Sequence, residues 1–331
     1  MNSMAQQEET TANRSAMLEA RIAKRSIAAT DIVALELAPV VGHSLPAFSA
    51  GAHIDVEVAP NLVRQYSLCN DPSETHRYVI GVLRDPNSRG GSTAVHERLV
   101  EGQVIRIGAP RNHFALHADG PARHLLLAGG IGITPVLAMA RQLAREGADF
   151  ELHYCARSRE RMAFTALLQS MPWADRVHLH VDGEGALDMA QLLGAPQAGL
   201  HLYVCGPRGF MDAALGHARA SGWGEDSLHY EFFAGEAVQR EGDAGFEIEI
   251  ASTGQVVRVA PEQTVVQALA GIGVEVQTSC EQGVCGTCLT RVLSGEPEHR
   301  DMYLTEDEQT ACDQFLPCCS RAKSARLVLD L

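Results

Sequence analysis

The stretch Cys280-Glu-Gln-Gly-Val-Cys285-Gly-Thr-Cys288, followed much later by Cys318, determines how the rest of the chain is interpreted. Its C-x4-C-x2-C spacing with a remote fourth cysteine is typical of thiolates that hold a [2Fe–2S] cluster in a plant-type ferredoxin. Structural zinc is the alternative, but zinc sites usually pair two close C-x2-C knuckles, whereas three cysteines crowd one loop here. The spacing therefore indicates an iron–sulfur cluster with Cys318, not the adjacent Cys319, as its fourth ligand. Such a cluster needs a source of electrons elsewhere in the chain.

The composition of the 331-residue chain is that of an ordinary globular protein, with 46% hydrophobic and 21% charged residues. Its length favours two or three domains. No apolar run approaches the roughly 18 residues of a membrane helix, and the polar, acidic N-terminus is unlike a signal peptide. The nine cysteines are an odd count with four in metal-ligand spacing, which argues against a disulfide framework. These features predict a cytoplasmic protein.

The net charge of −14 argues against nucleic acid and anionic lipid as partners. The acidity is uneven, because thirteen acidic residues stand against six basic ones from Phe246 onward. Such a surface is either a solvated acidic face or a docking surface for a basic partner, and the sequence leaves both interpretations open.

Short β-rich segments between residues 15 and 118 predict the first domain, whereas residues 1–14 are polar, lack periodicity and are predicted to be disordered. The alternation of Ile54, Val56 and Val58 marks a half-buried strand, and six short strands predict a small antiparallel β-barrel. A helix that begins after Ser92 as its N-cap interrupts the strands. The predicted strands are Leu18–Ile27, Ile32–Leu37, His53–Val58, Arg64–Leu68, Tyr78–Val82 and Val104–Ile107, and the helix is Thr93–Leu99.

Apolar strands alternate with helices between residues 119 and 235, which predicts an α/β domain with a doubly wound parallel sheet. Ligands bind such sheets at the carboxyl ends of strands, where the turns Gly129–Pro135 and Cys205–Pro207 fall. The first turn departs from G-x-G-x-x-G, so it predicts a dinucleotide fold other than the Rossmann dehydrogenase type, or none. The predicted strands are His124–Ala128, Phe150–Cys155, Arg176–Val181, Leu200–Cys205 and Ser227–Phe233, and the helices are Val136–Glu146, Arg161–Met171, Asp188–Leu193 and Phe210–Ala220.

A charged segment rich in small residues, 236–244, is the predicted linker to a last domain of residues 245–331. Phe246–Ile250 and Val256–Val259 alternate as a hairpin, and Val265–Ile272 is predicted as a helix. This α+β unit is too small for a large core and is partly held by its cluster.

The barrel carries a predicted anion site, since Gly90-Gly91-Ser92 lies at the start of a helix whose free N–H groups favour an anion. The strand Arg64-Gln-Tyr-Ser67 supports this site with a guanidinium that binds phosphate, an aromatic ring and a hydroxyl. A one-electron cluster cannot take the two electrons that a nicotinamide releases together. A flavin must therefore lie between them, and the barrel is where we place it.

Taken together, the motifs resemble the phthalate dioxygenase reductase family, to which vanillate O-demethylase reductases are equally similar. The motifs are Arg64-Gln-Tyr-Ser67, Arg89-Gly-Gly-Ser92, Gly129-Gly-Ile-Gly-Ile-Thr-Pro135, Cys205-Gly-Pro207, Glu231-Phe-Phe233, the cysteine loop and Ser320-Arg-Ala-Lys-Ser. The resemblance runs from about Ser15 to Leu331. It implies a reductase component that takes hydride from NADH onto FMN and passes single electrons through the ferredoxin to a Rieske-type oxygenase.

The resemblance also implies roles for single residues. The FMN-binding residues would be Arg64, Gln65, Tyr66, Ser67, Val82, Leu83, Gly90, Gly91 and Ser92, with the phosphate on Arg64 and the Gly91-Ser92 turn. The NADH-binding residues would be Gly129, Gly130, Gly132, Thr134, Pro135, Cys205, Gly206 and Pro207. Cys280 and Cys285 would bind one iron, and Cys288 and Cys318 the other. Ser67, Cys205 and Phe233 are the predicted catalytic residues: Ser67 orients near the flavin N5, Cys205 lies beneath the nicotinamide, and Phe233 stacks on the flavin.

The implied function leaves some alternatives open. A stand-alone NADH-dependent reductase of another acceptor and a redox-sensing iron–sulfur flavoprotein are both compatible with these motifs. Arg157-Ser-Arg159 after the second strand of the α/β domain could grip a 2′-phosphate, although the family mostly uses NADH. The expected partner is a Rieske-type oxygenase that docks transiently on a monomeric reductase, with the acidic ferredoxin face as the candidate docking surface.

Overall fold

The computed structural model describes residues 17–41, 43–60, 62–86, 90–117, 122–185, 187–233, 242–278, 283, 286–301 and 303–331. The predicted disorder of residues 1–14 lies outside this part of the chain, as do Arg89, Cys280 and Cys285. The chain divides into two compact units, Met1–Glu231 and Phe232–Leu331. Within the described residues, every helix is too short or too polar to span a bilayer.

A six-stranded antiparallel sheet forms the first part of unit one and confirms the predicted barrel. Its order is β4-β3-β6-β1-β2-β5, and an isolated bridge between Leu68 and Ile80 links its two ends. The alternating residues Ile54, Val56 and Val58 are all buried, because one face of each strand packs inward. The strands are β1 Leu18–Ala29, β2 Ile32–Pro39, β3 His53–Ala59, β4 Leu62–Ser67, β5 Tyr78–Leu83 and β6 Val104–Ile107.

The helix in the barrel, α1 (Gly91–Arg98), begins two residues earlier than predicted. Its N-cap is Gly90, whose φ of 88° lies in the left-handed region that favours glycine. The prediction of Ser92 as N-cap is therefore wrong. Ser92 Oγ instead accepts a hydrogen bond from the backbone N–H of Asp85 at 3.1 Å.

A second, five-stranded sheet completes unit one with the order β11-β10-β7-β8-β9. The pairs β10–β7, β7–β8 and β8–β9 are parallel, as predicted. The strands are β7 Arg123–Gly129, β8 Asp149–Ala156, β9 Val177–Val181, β10 Leu200–Gly206 and β11 Leu228–Phe232. The helices are α2 Ile133–Glu146, α3 Thr165–Ser170, α4 Met189–Leu192 and α5 Arg208–Ala220, and α2 ends at Gly147 in the left-handed conformation.

The predicted helix Arg161–Met171 is wrong over its first half. Residues Arg159–Arg161 form a short 3-10 turn, and Phe164 adopts a positive φ of 62° directly before α3. Met162 is extended and buried in this interval, and the Ala163 N–H donates to the Tyr154 hydroxyl at 3.0 Å. Burial of Met162 and the hydrogen bond to a buried tyrosine outweigh the helical preference of the local sequence.

The two sheets of unit one contact each other directly. The Thr30 N–H donates to the Glu160 carbonyl at 2.7 Å, and Arg145 forms an ion pair with Asp71. Gly81 of β5 lies against Thr134 at the start of α2, where a Cβ on Gly81 would stand 2.8 Å from the Thr134 methyl. The barrel and the parallel sheet therefore share one compact unit, and the predicted domain boundary at residue 118 stays a prediction.

Unit two contains a small mixed sheet of order β13-β12-β18-β14-β16 and a two-stranded sheet β15-β17. The predicted hairpin is confirmed, and the helix over Val265–Ile272 ends two residues early at Ala270. The strands are β12 Phe246–Ile250, β13 Val256–Val259, β14 Thr290–Ser294, β15 Pro297–Glu298, β16 Gln314–Phe315, β17 Arg321–Ala322 and β18 Arg326–Leu329, with helices α6 Val265–Ala270 and α7 Glu306–Ala311.

The first described residues of unit two belong to its folded structure rather than to a free linker. Asp243 accepts from Arg300 Nη1 at 3.0 Å, and both side chains are less than a tenth exposed. The Ala244 carbonyl accepts from Arg321 Nη2 at 3.1 Å. The predicted linker 236–244 therefore extends too far at its C-terminal end, while its residues up to 241 lie outside the described part of the chain.

Candidate functional site

Strand β4 carries four of the predicted flavin-site residues and pairs with β3. The antiparallel register places His53 opposite Ser67 and Ile54 opposite Tyr66. Ser67 is buried, whereas Arg64, Gln65 and Tyr66 are half-buried. Burial raises the pKa of the Tyr66 hydroxyl to about 12, against a smaller lowering effect of Arg64. Tyr66 therefore stays neutral and can act as a hydrogen-bonding aromatic ring.

The carboxylate of Glu231 joins the barrel to the parallel sheet at this point. Ser67 Oγ donates to Glu231 Oε2 at 3.4 Å, and His53 Nδ1 lies 3.6 Å from Glu231 Oε1. The His53 Nε2 atom is buried and has no hydrogen-bond partner among the described residues. A buried polar atom without a partner is costly, which is typical of a position where a ligand completes the site.

Cys205 lies at the end of β10 and is fully buried. Burial, and secondarily the Glu231 carboxylate, raise the pKa of its thiol well above the ordinary value. Cys205 is therefore a neutral thiol, without the thiolate that a nucleophile would need. A neutral thiol of this kind can pack against the flat nicotinamide ring without reacting with it.

The Arg64 side chain lies over the start of α1. A Cβ on Gly91 would stand 2.6 Å from Arg64 Nε and 2.7 Å from its Cγ, so only glycine leaves room for this arrangement. Gly90 and Gly91 also present the first backbone N–H groups of the helix beside this guanidinium. A guanidinium next to a helix N-terminus fits the single phosphate of FMN.

The predicted ring-lining residues lie on β5. Val82 belongs to the buried barrel core, and its carbonyl accepts from the His96 ring at 2.9 Å. Leu83 is half-buried and pairs with Ile32 of β2. Because the Val82 side chain packs inward, only its backbone can face a ring at this strand, and the prediction that both residues line the flavin stays untested.

The two predicted nicotinamide turns lie against each other. The carboxyl ends of β7 and β10 are neighbours, with Ala128 beside Cys205. A Cβ on Gly132 would overlap the carbonyl oxygen of Cys205, and one on Gly129 would stand 2.8 Å from the Phe210 ring. Glycine is therefore required at both positions by close approach of the two turns.

Around these turns the backbone is arranged for a phosphate-bearing ligand. Residues Gly130–Gly132 form a 3-10 turn that leads directly into α2, and Gly130 has a positive φ of 52°. Thr134 and Pro135 are buried in the first turn of α2, and Thr134 Oγ1 donates to the Ile131 carbonyl at 3.0 Å. Gly206 is buried, Pro207 is exposed before α5, and Phe233 follows β11 in a half-buried position.

Two of the four predicted cluster ligands are described, and they lie together. Cys288 and Cys318 are both buried, pack in one apolar cluster with Leu304 and Leu316, and have interacting thiols. Cys319 also contacts Cys318, and its thiol donates to the Leu316 carbonyl at 3.7 Å. Two adjacent buried sulfurs on loops from distant parts of the sequence fit a thiolate-bound [2Fe–2S] cluster.

The described glycines of the cysteine loop are also fixed by close contacts. Gly283 and Gly286 have φ values of 75° and 72°, and a Cβ on either would overlap Cys319 or the Tyr303 ring, respectively. Asp301 supports the same region from the buried interior, since it accepts from the Leu304 N–H at 3.0 Å and from Ser320 Oγ at 3.1 Å. Close contacts therefore require glycine at both of these positions.

Three residues to which the sequence assigns no role contact residues of these candidate sites. In the sequence, Glu231 is only part of a motif, His53 only a strand residue and Asp301 only one acidic residue among many. The partners can be far apart in sequence, since Ser67 and Glu231 are separated by 164 positions. Pairing of this kind leaves no local pattern that a single sequence could reveal.

The chain is similar to known proteins, both in two of its segments and over nearly its whole length. Residues 248–323 match the family of 2Fe-2S iron-sulfur cluster binding domains, and residues 108–228 match the N-terminal domain of dimethylamine monooxygenase subunit DmmA-like proteins. A vanillate O-demethylase oxidoreductase of Pseudomonas putida is 57% identical over 95% of this chain and 100% of its own length. A phthalate 4,5-dioxygenase oxygenase reductase subunit of Pseudomonas putida is 40% identical over 94% of this chain and 95% of its length.

A solved structure gives the same result for the fold. It is described as phthalate dioxygenase reductase, a modular structure for electron transfer from pyridine nucleotides to [2Fe-2S]. It matches this chain with a TM-score of 0.78 and 38% identity, and the match covers 96% of this chain and 99% of the other.

Proposed function

Because the chain belongs to the family of vanillate O-demethylase oxidoreductases and phthalate dioxygenase reductases, we propose that it passes electrons from NADH to a Rieske-type oxygenase of aromatic catabolism. It is an oxidoreductase and a reductase component of an oxygenase or demethylase system, with FMN, NADH and a [2Fe–2S] cluster as cofactors. FMN, when bound, accepts a two-electron hydride and releases electrons singly.

In the proposed FMN site, Arg64 and the N–H groups of Gly90 and Gly91 hold the phosphate. The supporting observation is that the Arg64 side chain packs directly on Gly91 at the start of α1. Ser92 lies within the first turn of the same helix, and its hydroxyl accepts from the Asp85 N–H. Ser67 and Tyr66 then face the ring, with Ser67 oriented by Glu231.

In the proposed NADH site, the turn of Gly129, Gly130 and Gly132 receives the pyrophosphate at the N-terminus of α2, with Thr134 and Pro135 fixing its first turn. Cys205 and the backbone of Gly206 and Pro207 lie beneath the nicotinamide, and Phe233 stacks on the flavin. The neutral, fully buried Cys205 thiol supports this, because an apolar floor excludes water from the hydride path.

The single observation that carries the proposal is the junction of Ser67, Glu231 and Cys205. It brings the end of a barrel strand and the carboxyl end of a parallel strand to one point. A flavin on the first and a nicotinamide on the second would meet there, as hydride transfer requires. Anaerobic stopped-flow mixing with NADH tests this: we expect flavin bleaching first and cluster bleaching after it. Cluster reduction that precedes flavin reduction would contradict the proposed order.

The partner is an oxygenase component. The proposal that it docks electrostatically is supported by the exposed acids of unit two. Several of the acids counted in the sequence are neutralised internally, since Glu247 and Glu249 pair with Arg326 and Glu296 pairs with Lys323. Six exposed acids of unit two form no ion pair with described residues, namely Glu262, Glu275, Asp307, Glu308, Asp313 and Asp330.

Salt and charge removal test this docking proposal. Turnover with the purified oxygenase should fall as ionic strength rises, because screening weakens contacts between exposed charges. The variant Asp307→Asn/Asp313→Asn should raise the KM for the oxygenase, whereas Asp226→Asn, an exposed acid in unit one, should leave it unchanged. Turnover that is indifferent to both salt and the double substitution would remove the acidic docking surface.

Two assays distinguish the proposed function from the alternative functions. Rapid NADH-driven reduction of cytochrome c excludes a slow redox sensor, and reconstituted turnover with an oxygenase excludes a stand-alone reductase of another acceptor. NADH preference over NADPH is tested by comparing kcat/KM for the two nucleotides. The cytoplasmic location, the monomeric state and the transient nature of the complex stay predictions.

A further inference from the structure

Four polar side chains form a cluster on one face of the parallel sheet that the proposed electron path does not use. Strand β9 lies at the edge of the sheet, and its parallel register with β8 places His178 beside His153. Glu151 lies two residues before His153, and His180 two residues after His178, so all four share a face. We name this set, Glu151, His153, His178 and His180, the edge-strand cluster.

The ring of His153 is the buried centre of the edge-strand cluster. The residue is 8% exposed, and its Nδ1 atom lies 3.0 Å from Nε2 of His180, which is a hydrogen bond between the two rings. In the tautomer in which Nδ1 donates, Nε2 keeps its lone pair. That Nε2 atom is buried and has no hydrogen-bond partner among the described residues. Its nearest charged neighbour is Glu151 Oε2 at 3.6 Å.

We propose that Glu151, His153 and His178 bind a divalent transition metal ion, with Zn²⁺ as the best fit. One ligand atom from each residue lies within 4.8 Å of the other two. Two imidazoles and one carboxylate are a known zinc ligand set, and the exposed sheet edge leaves the fourth position to water. His180 then orients His153 through its hydrogen bond, as outer-shell partners of metal-bound histidines do.

Only exposed side chains have to move to close such a site. Ligand atoms at about 2.1 Å from a tetrahedral zinc ion lie roughly 3.5 Å from one another, so the present spacing must contract. Glu151 and His178 are both exposed, and the His178 ring is stacked on His153 with centroids 4.6 Å apart and an interplanar angle of 26°. Rotation of the exposed His178 ring turns its nitrogen toward Nε2 of His153, while the buried ring stays in place.

A second group of histidines on the sheet shows why packing alone does not explain the edge-strand cluster. His201 and His229 are joined by a hydrogen bond of 3.0 Å, and the His117 ring stacks on His201 at 4.0 Å. His124 of that group also has a buried nitrogen without a partner, Nδ1, but no carboxylate stands among these rings within ion-pair distance in the described structure. The edge-strand cluster differs by combining an acceptor carboxylate with a buried nitrogen that lacks a partner.

The test is zinc binding to the cofactor-loaded reductase without a polyhistidine tag. Calorimetric titration and equilibrium dialysis with Zn²⁺ should give one equivalent at this site. His178→Ala and Glu151→Gln should each lose this equivalent, and His180→Ala should weaken it roughly 10- to 100-fold. His217→Ala, which removes an exposed histidine from α5, should leave binding unchanged.

Thermal unfolding supplies a second readout that does not depend on electron transfer. Zn²⁺ should raise the Tm of the wild type and of His217→Ala, because a ligand of the native state stabilises it. The shift should vanish in His178→Ala, whose exposed position at the sheet edge keeps the fold intact. Equal zinc stoichiometry and equal Tm shifts in His178→Ala and wild type would overturn the proposal, even if the reductase activity is as proposed.

Discussion

Ser67 Oγ donates to Glu231 Oε2 at 3.4 Å, so a hydroxyl at the end of a barrel strand is oriented by a carboxylate on the parallel sheet. The contact joins the two sheets of unit one. The candidate site at this point needs residues from both sheets. His53 approaches the same carboxylate from the strand next to Ser67. The carboxylate therefore fixes both barrel side chains in place.

Ser67→Ala should slow hydride transfer from NADH to FMN roughly 10- to 100-fold, because loss of an orienting contact misplaces the reacting atoms. Stopped-flow flavin bleaching at saturating NADH measures the rate. Ser227→Ala removes an exposed hydroxyl from the same unit and should have no effect. Glu231→Gln should reproduce part of the loss, and the double variant should be less than additive, since the two residues form one contact. An unchanged rate in Ser67→Ala would rule out its positioning role.

Gly132→Ala should destabilise unit one by about 3 kcal/mol, because its Cβ would overlap the Cys205 carbonyl oxygen. The KM for NADH should rise at the same time, since the two nicotinamide turns must separate. Gly216→Ala in α5 is the matched control: no atom lies within 4 Å of its added Cβ, and alanine should stabilise the helix by up to about 1 kcal/mol. Urea unfolding and steady-state kinetics on both variants check this. Equal stabilities of the two variants would contradict the packing of the turns.

Gly91→Ala should weaken FMN binding about tenfold, equivalent to about 1.4 kcal/mol, with little loss of stability. The added Cβ displaces the Arg64 side chain, which is flexible and can move away from α1 at small cost. Flavin fluorescence on dilution measures FMN release. Gly209→Ala, with open space around its Cβ, should retain wild-type FMN affinity. Retention of FMN by Gly91→Ala would show that Arg64 does not bind the phosphate.

The stability of unit one should fall as pH drops from about 6.5 to about 4. Burial, and secondarily the neighbouring His201 and His117, lower the pKa of both His124 and His229 to about 4. An unfolded histidine has a pKa near 6.5. Between these values the unfolded chain binds protons that the folded chain does not, so acid favours unfolding.

Urea midpoints at pH 7 and pH 5 measure this effect. His229→Gln should reduce the difference between the two midpoints, because it removes one of the two histidines whose pKa is lowered to about 4. His217→Gln, at an exposed position, should leave the difference as in the wild type. The same pH dependence in His229→Gln and wild type would exclude the buried histidines as its source.

The sequence predicts the architecture well because hydrophobic periodicity and turn residues are local signals. The barrel strands, the hairpin Phe246–Val259 and the Gly147 helix end follow from them. Predictions fail where a distant partner decides the conformation. The chain at Met162 is extended because the Met162 side chain is buried and the next N–H, that of Ala163, donates to the Tyr154 hydroxyl. The start of α1 is set by Gly90 rather than by the capping preference of Ser92.

Some residues of the candidate site can be predicted from the sequence and others cannot. Cys288 and Cys318 can be predicted as ligands because thiol chemistry and loop spacing are visible in the sequence, and the structure brings both together. Glu231 and His53 could not be assigned roles, because their significance comes from the meeting of two sheets. The residue types alone do not show that His53 and Glu231 lie close together in the fold.

The buried pair of Asp243 and Arg300 matters for the design of chimeric reductases that combine this ferredoxin domain with a foreign reductase. Its partners lie on either side of β12, so the ferredoxin module starts structurally before its first strand. A chimera that joins a foreign reductase directly at Phe246 would leave Arg300 without Asp243 and Arg321 without the Ala244 carbonyl. Arg300 keeps its ion pair with Glu298, but loss of a buried charged hydrogen-bond partner still costs about 1.5–3 kcal/mol, so a transferable ferredoxin module must keep Asp243 and Ala244.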